Sequence, residues 1–260
     1  MRVALGLLGA ALLAATPRAA PGLHVPPGFI IETVAEVAGA RELAALPNGD
    51  LLVGTTGSDV WLLRNAEGNA EPARIFADFD DEHASGVAYA RENRTIYVGT
   101  MHHVWAIPYD GGTKAGAMRR VADVRSGPVA PGTDGDVHVT TSVAFSINRL
   151  YVAVGSSCNA RMHGGGAPCT EVDPTRSAVS VARLDGSQLT LRAKRIRNAI
   201  ALAVDPDTGD VWVGDAGQDD LPFGHPYEFL DDLSAHPGVA DYGWPQCEEN
   251  RHAYVPASDC

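Results

Sequence analysis

Three features of the sequence point to one fold class. Glycine (28) and proline (17) together make 45 of 260 residues, more than the usual share of about 12%, so the chain is built for short turns and not for long helices. A pair of short apolar, β-branched runs joined by a turn recurs four times, and each pair ends in Val-Gly. Between the copies stand further runs of the same kind, Val60-Trp61-Leu62-Leu63, Val104-Trp105-Ala106-Ile107 and Ala178-Val179-Ser180-Val181-Ala182. A strand-rich unit repeating every 45 to 60 residues predicts an all-β fold of the β-propeller type, four strands to a blade. An unrepetitive β-sandwich would not recreate the same turn-flanked pair four times.

The first copy reads Glu42-Leu43-Ala44-Ala45-Leu46, turn, Leu51-Leu52-Val53-Gly54, with Pro47-Asn48-Gly49-Asp50 as the turn. The second runs from Gly86-Val87-Ala88-Tyr89 to Ile96-Tyr97-Val98-Gly99, and the third from Ser142-Val143-Ala144-Phe145 to Leu150-Tyr151-Val152-Ala153-Val154-Gly155. The fourth pairs Ala201-Leu202-Ala203-Val204 with Val211-Trp212-Val213-Gly214 across Asp205 to Asp210. The closing glycines, at 54, 99, 155 and 214, are spaced by 45, 56 and 59 residues. Four blades of that size use the whole chain after its leader. A propeller has to close, because an open ring leaves bare edges and unburied core. The chain is therefore either a four-bladed ring or a longer propeller that is C-terminally truncated, and the Pro/Ser/Asp stretch before Cys260 favours truncation.

The leader is legible by itself. A positive start at Met1-Arg2, an uncharged apolar run from Val3 to Ala15 and small residues through Ala20 predict a signal peptide over residues 1–20. That run is shorter than the roughly 20 residues a membrane span needs. The mature domain, 21–260, is expected to be periplasmic or secreted, with no membrane span left after cleavage. Its four cysteines, Cys158, Cys169, Cys247 and Cys260, fit an oxidising compartment, and without a CxxC pair they read as disulfides, not as a zinc site. Three pairings exist. The local one, Cys158–Cys169 with Cys247–Cys260, is favoured because it closes two short loops.

Charge narrows the function. Against 20 Lys plus Arg stand 32 Asp plus Glu, a net charge of −12, and such a field repels phosphate backbones. No nucleic-acid partner is expected. The basic run Arg192 to Asn198 reads as a solvated strand with alternating outward charges. Propeller sites lie at the channel mouth, in the loops flanking the repeat strands. There, His138 follows Asp134-Gly135-Asp136-Val137 and leads into a strand, the position and chemistry of a general base. Arg197 and Asn198 enter the fourth copy, where an arginine can bind an anionic or carbonyl group. Asp215-Ala216-Gly217-Gln218-Asp219-Asp220 leaves it, and clustered oxygens at a glycine-rich bend suit Ca²⁺. Asp78, Asp80 and Asp81 read as an exposed turn. His102 and His103, as neighbours on a strand, are expected to point to opposite faces and so not to act as a pair. Asn93-Arg94-Thr95 carries a glycosylation sequon on paper only.

Six stretches, in order from residue 23 to the end, resemble one family: Leu23–Ile31, His138–Phe145, Val154–Asn159, Arg197–Val204, Gly214–Leu221 and Asp241–Pro245. It is the family of soluble sugar dehydrogenases dependent on pyrroloquinoline quinone (PQQ), in its sorbosone dehydrogenase-like branch. The resemblance implies a six-bladed propeller with about four blades present here, and the cofactors PQQ and Ca²⁺. It implies oxidation of an aldose or sugar aldehyde such as glucose or sorbosone, with electrons passed to a quinone or cytochrome. By the same resemblance His138 is the base, Arg197 lies beside the reactive carbonyls of the cofactor, Asn198 contacts it, and main-chain carbonyls of Gly217 and Gln218 bind the calcium. Ser156 stands where glucose-oxidising relatives place an acid, as in the sorbosone branch. The family's later lysine and arginine contacts to the cofactor would fall beyond residue 260, so this chain is expected to hold the quinone poorly and to be weakly active or inactive. The alternatives are a calcium-dependent lactonase on a similar ring and a non-catalytic propeller used as an interaction platform.

Overall fold

The computed structural model describes residues 22–125, 138–157, 171, 173–217 and 228–246. The chain forms two units. The first, through Glu36, is described from Gly22 as extended chain with a turn closed by Phe29 N–H donating to Pro26 O at 3.1 Å. The second, from Val37, holds all the strands.

Four antiparallel sheets follow one another along that unit. The first contains β1 (Ala40–Ala45), β2 (Leu51–Thr55), β3 (Asp59–Leu63) and β4 (Arg74–Asp78) in sequence order. The second repeats this with β5 (Gly86–Ala90), β6 (Thr95–Gly99), β7 (His103–Pro108) and β8 (Arg119–Asp123). The third has β9 (Thr141–Ser146), β10 (Arg149–Val154), β11 (Ala178–Ala182) and β12 (Thr190–Lys194). The fourth, among the described residues, has three strands, β13 (Ala201–Val204), β14 (Val211–Asp215) and β15 (Phe229–Asp232), and the short β16 (Ala240–Asp241) returns to lie parallel to β12. The first strands adjoin in the order β1, β5, β9, β13, so they form the inner wall and the later strands lie outside. These are propeller blades, as the repeat predicts. Among the described residues no helix is long and apolar enough to cross a membrane.

The core lies between successive blades. In β6, Ile96 and Val98 join the cluster shared with the first sheet, with Leu52, Val60, Leu62 and Phe76, while Tyr97 joins the cluster shared with the third, with Leu150 and Val152. The two-residue period of a strand thus feeds both neighbours, which is why the central strands read as unbroken apolar runs. A third cluster, with Ala153, Val179, Ala193, Val211 and Val213, joins the last two sheets.

Close approach of main chains accounts for the first two glycines of the Val-Gly repeat, Gly54 and Gly99. Each glycine of the repeat lies within one residue of the end of a second strand, and there Gly99 faces Gly86 and Val154 faces Thr141 at the start of the first strand. A Cβ on Gly54 would fall inside van der Waals contact of the Ser85 carbonyl, and one on Gly99 inside that of the Thr141 carbonyl, each belonging to the lead-in or start of the next blade. Only glycine lets the backbones come that near.

The basic run departs from the sequence expectation. Arg192 donates to the carbonyls of Leu233, Gly238 and His236 (2.9 Å for the last), and Lys194 and Arg195 both pair with Asp241, at 3.3 and 2.5 Å. Lys194 and Arg195 keep 49% and 42% side-chain exposure, as outward charges on a strand do, but the run also ties the 233–241 segment to the outer edge of the third blade, because β16 arrives from far along the chain to cover that edge. All four cysteines, the leader over 1–20 and the Asp134–Val137 stretch lie outside the described residues.

Gly99→Ala is expected to destabilise the fold by about 2–3 kcal/mol, as overpacking against main chain does. Gly116→Ala, where nothing lies within 4 Å of the added carbon, serves as control and changes stability by less than about 0.5 kcal/mol. Urea denaturation of both variants checks this, and equal midpoints would refute the close-approach account.

Candidate functional site

Antiparallel pairing sets the start of each first strand beside the end of its second, so one end of the inner wall gathers the lead-in loops and the loops after β6, β10 and β14. His138 lies three residues before β9, buried at 3% exposure. Its Nδ1 is 2.8 Å from the carbonyl oxygen of Ser156, just past β10. A carbonyl can only accept, so Nδ1 carries the proton, and in the neutral ring Nε2 is then the acceptor.

Arg197 and Asn198 join β12 to β13 and are brought to the same place. The Ser156 N–H donates to the Arg197 carbonyl at 2.7 Å. The Arg197 guanidinium, 3% exposed as a residue, donates from Nη1 to Ala216 O at 2.8 Å and lies 5.5 Å from the centre of the Trp244 ring. The Asn198 N–H donates to Asp215 Oδ1 at 2.6 Å, and its carbonyl accepts from Ala216 N–H at 3.0 Å. Gly155 closes the group: a Cβ there would lie 2.5 Å from His138 Cβ and 2.7 Å from Asn198 Oδ1. The third Val-Gly glycine therefore does in the site what Gly54 and Gly99 do in the core, and lets a histidine and an amide from two lead-ins stand side by side.

Of the residues expected at the calcium, Gly217 is buried immediately after Asp215-Ala216, and Gln218 lies outside the described residues. Among the described residues no three His, Cys, Asp or Glu side chains are grouped to hold a metal. Main-chain oxygens at this bend are the donors on offer, and Ala216 O is engaged by Arg197.

Several site residues escaped the sequence reading. Ser156, noted only as a serine in place of an acid, is fully buried; its hydroxyl donates to Glu171 Oε2 at 3.0 Å and accepts from Trp244 Nε1 at 2.8 Å. Arg176 is a second buried cation, donating from Nε to Gly155 O and from Nη2 to Ser156 O, both at 3.0 Å. Trp244 was visible only as part of the Asp241–Pro245 stretch. Nothing in the sequence spacing marks Glu171 or Arg176.

At the same end of the second blade, two expectations fail. Asp81 is buried, and its carboxylate accepts from Thr100 Oγ1 (2.6 Å), the His102 N–H (2.8 Å), His102 Nδ1 (2.8 Å) and His103 Nδ1 (3.1 Å). So Asp81 is no exposed turn, and the two histidines share one partner. Strand alternation does not separate them because β7 begins at His103, leaving His102 in the preceding bend. Burial alone would raise the Asp81 carboxyl, but these donors together outweigh it and hold it down at about 2.

Glu42, on the inner strand β1, is the opposite case. Its Oε1 is buried without a hydrogen-bond partner. Burial pushes its carboxyl up to about 8 against the weaker pull of the Ser142 hydroxyl and the Val87 and Val143 amides.

A family model described as TrAA12-like matches residues 23–250. The holo PQQ domain of pyranose dehydrogenase from Coprinopsis cinerea superposes with a TM-score of 0.64 at 19% identity, over 82% of this chain and 56% of that one. The calcium structure of a Carbohydrate-Active Enzymes Family AA12 protein from Trichoderma reesei gives 0.61 at 20% identity, over 82% and 57%. The PQQ-bound aldose sugar dehydrogenase from Streptomyces coelicolor gives 0.61 at 19%, over 85% and 66%. At these identities the likeness shows the fold, and this chain spans a little over half the length of the first two. No functionally curated protein matches the sequence.

A carboxyl whose folded pKa is raised contributes stability that is fully present below its unfolded value, here 4.5, and is lost as pH rises toward about 8. Glu42→Gln is therefore expected to be more stable than the parent at pH 8 and to flatten the fall between pH 5 and 8. Denaturation midpoints across that range check it, and parallel pH profiles would sink it.

Proposed function

We propose that this chain, which belongs to the TrAA12-like family, carries the reaction face of a PQQ-dependent sugar dehydrogenase. One observation carries the reading: a buried histidine with Nδ1 committed to Ser156 O, set beside Asn198 and the Arg197 segment at the blade ends. That is the arrangement of a base with its acceptor nitrogen defined before substrate arrives.

The residues present fit the quinone. Arg197 offers a buried, π-stacked guanidinium and Asn198 an amide at a glycine-lined cradle, and Ca²⁺ is assigned to the main-chain oxygens of Gly217 and of Gln218, the latter outside the described residues. When bound, PQQ supplies the two-electron acceptor. His138 is placed to take the proton of the sugar hydroxyl at Nε2, as the carbon bearing that hydroxyl would pass its hydride to bound PQQ. The positive charge of Arg197 favours the negative charge that the acceptor gains. The substrate class is an aldose, or a similar sugar aldehyde or lactol, as the names of the pyranose and aldose dehydrogenases suggest. Export by the 1–20 leader, periplasmic or secreted work on the sugar, and a quinone or cytochrome as final acceptor complete the proposal.

The test is titration of the purified chain with PQQ and Ca²⁺ by absorbance, and dye reduction with a panel of aldoses. His138→Gln is expected to bind PQQ within about 3-fold of the parent and to lose at least about 100-fold in kcat, the usual worth of a general base. Retained turnover in His138→Gln would remove the base. Absence of calcium-dependent PQQ binding both by this chain and by a version extended past Cys260 would overturn the reading, and calcium-dependent lactone hydrolysis would replace it with the lactonase.

A further inference from the structure

We infer that Glu171 is a positioning residue for His138, acting through the Ser156–Ser157 turn; the inference rests on reading His138 as the base. A histidine base works only in the tautomer whose acceptor nitrogen faces the substrate, and here that depends on where the Ser156 carbonyl points. Strand pairing does not fix that carbonyl. The β9–β10 ladder ends at the Val154–Thr141 pair, and Ser156 lies beyond it.

Other contacts hold the turn. Arg197 O takes the Ser156 N–H, Arg176 donates to the carbonyls of both Gly155 and Ser156, and Trp244 donates to Ser156 Oγ. Glu171 takes three donors from the same two residues. Its Oε2 accepts from Ser157 N–H at 2.6 Å and Ser156 Oγ at 3.0 Å, and its Oε1 accepts from Ser157 Oγ at 2.9 Å.

The proton assignment is forced. The Trp244 indole can only donate, so the Ser156 hydroxyl accepts there and spends its one proton on the carboxylate. Hydrogen bonds to a carboxylate are about twice as strong as neutral ones, and two oxygens clamping consecutive residues fix the peptide plane between them. Because the Ser156 hydroxyl also receives Trp244, which stacks on Arg197, the same carboxylate steadies both groups assigned to the chemistry. An amide at 171 has one acceptor oxygen and so cannot serve all three donors.

The experiment is ¹⁵N NMR of the histidine rings in the cofactor-free chain, with the His138 signals identified by their loss in His138→Gln. The parent is expected to show His138 protonated at Nδ1. Glu171→Gln is expected to populate the Nε2-protonated tautomer and, in the dye assay, to lower kcat about 10- to 100-fold with sugar KM within about 3-fold, as when a carboxylate that orients a functional histidine is removed. Ser157→Ala, which deletes one donor and keeps the carboxylate, is expected to shift the tautomer less in the same direction, and it serves if Glu171→Gln does not fold. An unchanged tautomer in the folded variants overturns the inference, as does a parent protonated at Nε2. A parent that shows the expected tautomer but no PQQ-dependent turnover, even when extended past Cys260, overturns the dehydrogenase reading instead and leaves Glu171 as the residue that orients His138.

Discussion

The distance at which one blade's backbone can approach the next governs this structure. Each second strand has a glycine within one residue of its end, and at Gly54 and Gly99 the missing Cβ is where a carbonyl from the following blade lies. Apolar side chains between sheets supply most of the driving force, but they pack face to face over a range of spacings. The main-chain contacts at these glycines narrow that range and bring the lead-in loops to one end of the inner wall. The site is built from those loops, so its geometry depends on the same contacts.

At Gly155 that device changes use. The space it leaves is bordered by His138 and Asn198 in place of a next-blade carbonyl. From there the Ser156 peptide ties the surroundings together: its N–H to Arg197, its carbonyl to His138 and Arg176, its hydroxyl to Glu171 and Trp244. Four segments separated by tens of residues meet on one buried serine with its N–H, carbonyl and hydroxyl all engaged. A buried residue whose polar groups are all engaged specifies one arrangement, because any of them left unpaired pays the full desolvation cost. Pre-set orientation is what a proton-transfer site requires, since no binding energy is then consumed in arranging it.

Charged groups elsewhere follow the same logic with different outcomes. Asp81 is buried yet stays ionised because four donors converge on it, two of them histidine rings. Glu42 has one carboxyl oxygen buried and unserved, and its carboxyl binds its proton more tightly instead. The cations of the 192–195 run are drawn onto carbonyls and Asp241 of a later segment. In each case the number of partners that the fold delivers decides the state of the group, and local sequence carries no record of that number.

The amino-acid sequence by itself determined the blade architecture, because a two-residue apolar period, turn chemistry and the Val-Gly step are local and repeat four times. It also marked His138, Arg197 and Asn198, since loops beside repeat strands have a known place in such a fold. The tertiary structure alone decided what surrounds them. Glu171 and Arg176 reach Ser156 from a loop whose composition announces nothing, His102 and His103 converge on Asp81 because a strand begins one residue later than alternation assumes, and β16 covers an edge that looked free. Periodicity is written in neighbours along the chain and can be read there. Hydrogen-bond partnership is settled between segments far apart in sequence, after the blades have packed.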